Sequence, residues 1–124
     1  MSYWVRLLDT SGQTCHVSKH SEGGTYVLGG TSEAELNITY NYSNQFAKVG
    51  LDFHEHAPLG RHGKIAVHGK RAGDLIPLLA DAVKSLGTER HPDYWKSTPG
   101  NAGFALSILL DWARQHPDGV FEVH

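Results

Sequence analysis

Cysteine is nearly missing from this 124-residue chain: Cys15 stands alone. A lone thiol excludes an intrachain disulfide and fits a reducing cytosol. In strand-like sequence it reads as a small core hydrophobe. His16 is adjacent, but on a strand it points to the opposite face, so the two do not make a thiolate–imidazole pair. Long apolar runs are missing too; none approaches the ~20 residues of a membrane span. Met1 leads directly into strand-like sequence, not into a basic stretch and an apolar core, so no secretory signal is read. The expectation is a cytoplasmic protein without membrane contact. Nor is there an excess of basic charge. Eleven Lys and Arg stand against 13 Asp and Glu, for a formal net charge of −2, which argues against general nucleic-acid binding.

What is present is ordinary for one globular domain spanning 1–124: 40% hydrophobic and 19% charged residues, enough for one core. Glycine, at 14 residues, promises tight turns or close backbone approaches. One local imbalance stands out. Arg61, Lys64, Lys70 and Arg71 fall within a stretch holding no acid, either a solvated loop or a seat for phosphate or carboxylate.

The stretch that organises the rest runs from Glu33 to Ser43. Leu36, Ile38, Tyr40 and Tyr42 alternate with Glu35, Asn37, Thr39 and Asn41, the period of a half-buried strand. Asparagine suits strands poorly, because its amide competes for backbone hydrogen bonds. Two on one face have two explanations: they tie down a neighbouring loop, or they read a polar ligand.

Around this strand, Tyr3–Leu8 and 14–18 read as a hairpin joined by the Asp9–Gly12 turn. Glu22–Thr31, with two Gly pairs, is a third strand or a loop folded over a site; no Gly-Lys-Ser/Thr follows it, so it is not a Walker-type phosphate loop. Ser43 caps a short helix over 44–49. Residues 50–70 are poorly patterned, with a brief strand at 65–67. The apolar stripe Leu75, Ile76, Leu79, Ala82, Val83 and Leu86 marks a helix over 72–86, with Asp74 as N-cap, Pro77 in the first turn and Gly87 as the stop. Thr98-Pro99 opens a second long helix, bounded by Pro117. Val120–Val123 adds an edge strand or a tail. Strands first and helices last argue for an α+β fold: residues 3–8, 14–18 and 34–42 in one small antiparallel sheet, with two main helices packed on its Leu36/Ile38/Tyr40 face.

For chemistry, His54, His56, His62 and His68 match no closed zinc spacing, so no metal or cofactor is expected; the loop-like composition around them leads to the expectation that His54, His56 and His62 are not needed for ligand retention. Glu22, Glu35, His20 and Asp93 could serve a hydrolase, yet no motif pairs them. The helix start Thr98–Gly103 is more specific. Helix N-termini attract anions, and Gly100 and Gly103 cost the helix about 1 kcal/mol each relative to Ala, so either close packing or a ligand compensates. The candidate ligand site therefore combines Glu35, Asn37, Thr39 and Asn41 on polar edges with Tyr26 or Trp95 as stacking rings. Thr98, Gly100 and Asn101, with Arg71 or Arg114 nearby, would hold a phosphate. Sites of this kind are often completed by a second copy, so a homo-oligomer is expected.

Three blocks carry a resemblance: Glu22–Tyr26 with Gly29-Gly30; Glu33–Ser43; and Asp93-Tyr94-Trp95 with Thr98–Gly103 and Trp112–Pro117. With these, the chain resembles a family of small proteins found in bacteriophage and bacterial genomes. Its segment 52–68 departs from that family's shorter, charged linker. A phage setting implies a protein acting on host factors or host signals. The leading expectation is a non-catalytic binder that sequesters an anionic, nucleotide-like ligand, such as a host immune signal. The rivals are a hydrolase or phosphodiesterase acting on such a ligand, and an interaction module that blocks a host protein.

Overall fold

The structure, a computed structural model, describes residues 2–20, 30–54 and 64–124. In chain order the elements are β1 (Ser2–Leu8), β2 (His16–His20), β3 (Thr31–Glu33), β4 (Glu35–Thr39), a 3-10 turn (Tyr40–Tyr42), α1 (Ser43–Lys48), β5 (Leu51–Asp52), β6 (Ile65–Ala66), α2 (Ala72–Leu86), α3 (Pro99–Gln115) and β7 (Val120–Val123). The fold is α+β. Its main sheet is antiparallel with order β4-β1-β7. Val5 lies opposite Leu36 and Val123, and Leu7 opposite Phe121. These side chains, with Tyr3 and Ile38, form the buried face of the sheet and join the core with Leu75, Leu79, Leu106, Leu109 and Trp112 of the paired helices α2 and α3. No helix among the described residues is long and apolar enough to cross a membrane.

The expected hairpin partner does not enter this sheet. β2 pairs with β3, His16 opposite Glu33 and His20 opposite Thr31, as a separate two-stranded ribbon. The cause is local. The Asp9 carboxylate accepts from Ser11 N, Ser11 Oγ and Gln13 N and curls the turn. Ala34 then inserts between the two strands: Leu7 N donates to Ala34 O, and Ala34 N donates to Cys15 O. Among the described residues, the Leu8–Thr14 bridge and Cys15 N to Leu7 O link β1 to the returning chain.

The organising strand also ends early. Thr39 Oγ1 accepts from Asn41 N at 3.2 Å and converts Tyr40–Tyr42 into a 3-10 turn. Past Thr39 the alternation no longer predicts burial: Tyr40 is exposed, whereas Thr39 and Tyr42 are buried. The packed face is therefore Leu36 and Ile38 without Tyr40.

Helix α2 begins at Ala72, not with Asp74 as cap. Arg71 is the N-cap, in extended backbone. The first free N–H groups are met by backbone instead of a side chain: Ala72 N donates to Gly119 O and Gly73 N to Pro117 O. Pro77 consequently falls inside the helix and leaves the Gly73 carbonyl without its helical donor. Gly87, at φ 77°, ends α2 as expected. Strand β7 is flanked on its other side by residues 69–71, since Gly69 N donates to Phe121 O and Phe121 N to Lys70 O.

Candidate functional site

The polar strand residues and the α3 start do come together, but around backbone. Gly100 and Gly103 permit a close approach to the chain itself. A Cβ on Gly100 would lie 1.9 Å from Glu89 O, and one on Gly103 1.7 Å from Gly87 O. The connection leaving α2 thus presses onto the first turn of α3, which accounts for both glycines. Thr98 Oγ1 caps that turn, accepting from Asn101 N at 3.1 Å. Asn101, only 5% exposed, accepts from His91 N (2.9 Å) and donates to Asp93 O (3.1 Å) and Lys96 O (2.9 Å). Asn41 Nδ2 donates to Trp95 O at 2.9 Å and Gln45 Nε2 to Ser97 O at 3.2 Å. Tyr42 Oη donates to Tyr94 O, and Tyr94 Oη to Asn37 O at 3.2 Å. Burial, reinforced by Tyr94, pushes the Tyr42 phenol above its ordinary range. Asn37 Nδ2 donates to Ser2 Oγ at 2.7 Å. Of the two explanations for the strand asparagines, tying down a neighbouring loop describes Asn41, and Asn101 does the same from the helix side.

The charged members lie elsewhere. Glu35 pairs with Arg6 across the exposed sheet face at 3.3 Å. Arg71 is bound to Asp118 (2.8 Å) and Asp74 (3.3 Å), which hold its guanidinium still more firmly protonated. Arg114 is exposed in the last turn of α3, about 20 Å along the axis from Asn101 at 1.5 Å per residue. The Gly73–Pro117 hydrogen bond places the Arg71 end of α2 beside that same C-terminal end. Neither arginine can share a phosphate with the Gly100–Gly103 turn. Trp95 is 45% exposed, and Tyr26 lies outside the described residues, as do His56 and His62.

A cavity of about 320 Å³ opens on the other side of α1, lined by Tyr3, Ser43, Asn44, Phe46, Ala47, Leu51, Asp52, Phe53, His54 and Lys64. Local folding explains its walls. Phe46 is the buried face of α1, and Gly50, at φ 79°, reverses the chain into β5. The parallel β5–β6 pair, with Ile65 N on Gly50 O and Val67 N on Asp52 O, brings Lys64 beside Leu51. One wall is aromatic: Phe53 packs on Phe46 (centroids 4.6 Å) and Tyr3 (5.8 Å), with the His54 ring edge-on to Tyr3 at 5.6 Å. The polar rim holds Ser43, which shares a 2.7 Å hydrogen bond with Tyr3 Oη. It also holds Asp52, 5% exposed, whose Oδ1 accepts from His54 N at 2.9 Å. Lys64 is half-buried and has no hydrogen-bond or ion-pair partner among the described residues. His54 thus borders a cavity that sequence reasoning kept it out of, and Tyr3, Ser43 and Asp52 were missed. Two signals pointed there: the acid set between Leu51 and Phe53, and Lys64 in the acid-free basic stretch.

A second cavity, about 290 Å³, is bordered by Asp9, Cys15 and Gln115–Gly119. Burial, and then the Asp9 charge, push the Cys15 thiol upward, away from the reactive thiolate. Among the described residues no three His, Cys, Asp or Glu side chains group to hold a metal ion.

The architecture is that of an α+β protein with an aromatic-walled cavity, bordered by Lys64, beside its sheet. Comparison of the chain with protein-family models, curated proteins and solved structures finds no match in any of the three. Any functional reading therefore rests on the site itself.

Proposed function

We propose that the protein binds and sequesters a small, planar, anionic ligand of nucleotide type, held in the cavity between α1 and β5. The observation that carries this is Lys64: a half-buried residue whose ammonium has no partner among the described residues, at the rim of an aromatic wall. A lysine stem can lie along an apolar wall while its ammonium stays available, and an anionic ligand seated on that wall would pair with it. The rings of Tyr3 and Phe53 supply an apolar surface for a planar group. The volume, about 320 Å³, is at the lower end of ligand cavities and suits a mononucleotide or smaller molecule. The biological form proposed with it is removal of a nucleotide signal from a host cytoplasm. Pairing of two copies belongs to the same proposal.

The test is retention. Protein incubated with a mixture of nucleoside monophosphates is desalted and heat-denatured, and the released material is analysed by mass spectrometry, with native mass giving the number of copies. Wild type should release one intact nucleotide. Lys64→Glu should lose it at least tenfold. Ala47→Trp, at an exposed position on the cavity wall, should lose it by filling the space. No retained ligand overturns the proposal; an altered ligand replaces the binder with an enzyme.

A further inference from the structure

We infer that the ligand carries a terminal phosphomonoester, and that Asn44 is the residue that distinguishes it from a cyclic phosphodiester of the same nucleoside. This inference rests on the cavity being the ligand site. The polar groups on the cavity walls divide unevenly. Those that accept are engaged within the protein. Ser43 shares its hydrogen bond with Tyr3 Oη, and the Asn44 carbonyl oxygen accepts from Ser97 Oγ at 2.6 Å. Asp52 is buried, accepts from His54 N and is not free. The groups without a partner among the described residues are donors. Lys64 can only donate. With its oxygen held by Ser97, the Asn44 amide has its N–H groups left over. His54 makes ring contacts but no side-chain hydrogen bond among the described residues, and its imidazole donates through one nitrogen, or through both once protonated. These donors come from three segments, α1, the end of β5 and the start of β6. The Asn44 amide is also held in place, because the loop that fixes it is tied to α1 a second time through Gln45 Nε2 and Ser97 O, so little ordering remains when a ligand arrives. A wall of open donors calls for a ligand dense in acceptors. A phosphomonoester supplies three strong acceptor oxygens and a charge of about −1.5 to −2 at pH 7. Closing the phosphate onto the ribose removes one of those oxygens and about half of that charge. Lys64, a mobile point charge, attracts both forms. An anchored amide does not adjust in the same way, and a site built to hydrogen-bond one group discriminates against the analogue lacking it.

The experiment is calorimetric titration of the full chain with two matched pairs: AMP against 3′,5′-cyclic AMP, and GMP against 3′,5′-cyclic GMP. For whichever base binds, the wild-type protein should hold the monoester at least tenfold more tightly than its cyclic form. Asn44→Asp keeps an oxygen to accept from Ser97 Oγ and replaces the amide donor with a second acceptor. It should weaken the monoester at least tenfold and shrink the monoester/cyclic ratio toward one, while a melting curve within a few degrees of wild type shows that the fold is retained. If monoester and cyclic forms bind equally, and Ala47→Trp abolishes both, the cavity reading stands and the phosphomonoester inference is overturned. Preference for the cyclic form overturns it as well. A ratio unchanged by Asn44→Asp overturns the assignment to Asn44. If none of the four nucleotides binds, both readings fall together. Should Asn44→Asp not fold, the wild-type order within each pair alone decides the matter.

Discussion

Asn101→Ala separates a structural amide from a ligand-reading one, and its cost can be worked from the contacts. The side chain accepts one backbone N–H and donates to two carbonyls at 3.1 Å or less. Truncation to alanine frees His91 N and the carbonyls of Asp93 and Lys96. Asp93 and Lys96 are exposed residues, so water can replace those bonds; His91 is half-buried, and Asn101 itself is buried. Charging about 1 kcal/mol for each bond lost, less what water returns, gives about 2–3 kcal/mol. Alanine recovers a few tenths through helix propensity. For a domain of this size the melting temperature should fall by about 6–12 °C, measured by circular dichroism on the ligand-free protein. Asn101→Asp should be worse than alanine, although acids favour a helix start by 0.3–1 kcal/mol, because it turns a carboxylate toward carbonyl oxygens. A ligand-free Asn101→Ala protein melting within 2 °C of wild type would refute this reasoning.

Gly103→Ala gains about 1 kcal/mol of helix propensity, but its Cβ would meet Gly87 O at 1.7 Å. Backbone cannot rotate aside, so urea titration should show a net loss of about 2 kcal/mol or more; a gain in stability would refute the contact. For Tyr42 the sign follows from its phenol being raised above the ordinary 10.0 by burial and Tyr94. The stability it contributes is complete below pH 10 and is lost as pH climbs further. Tyr42→Phe should cost about 1 kcal/mol at pH 8, for the lost bond to Tyr94 O, and should flatten the alkaline decline. Urea midpoints at pH 8 and 11 test this, and an unchanged alkaline slope would count against it.

The helices were legible because their signals are local. The stripe from Leu75 to Leu86, the Gly87 stop and the Thr98-Pro99 opening each act within a few residues. Leu36 and Ile38 were legible from alternation, and so was the α+β order. Thr39 was not, because one side-chain hydrogen bond to Asn41 N ends a strand whose periodicity runs on to Tyr42. Ala34 gave no sign that it would separate β1 from β2. The Asp74 cap failed because α2 borrows carbonyls from Pro117 and Gly119, more than forty positions downstream. The asparagines were recognised as anomalies, and both explanations were available from residue chemistry; only the position of the Trp95 and Asp93 carbonyls chooses between them. The cavity was invisible for a related reason. Tyr3, Ser43, Asp52 and Lys64 come from four separate stretches, and the pairing that gathers the last two joins strands of two residues each, too short to leave a pattern.

The place of β7 in the sheet bears on how the molecule is made. β1, near the beginning of the sequence, is the central strand, and one of its two neighbours is Val120–Val123. During synthesis that edge of β1 stays open until residues 120–123 clear the ribosome, long after β4 can pair on the other side. Val5, Leu7 and their neighbours wait half-covered through that interval. Closing so long a loop is slow, and an open strand edge can recruit another nascent chain. Assembly should therefore depend on chaperone capacity and growth temperature more than the stability of the finished protein suggests.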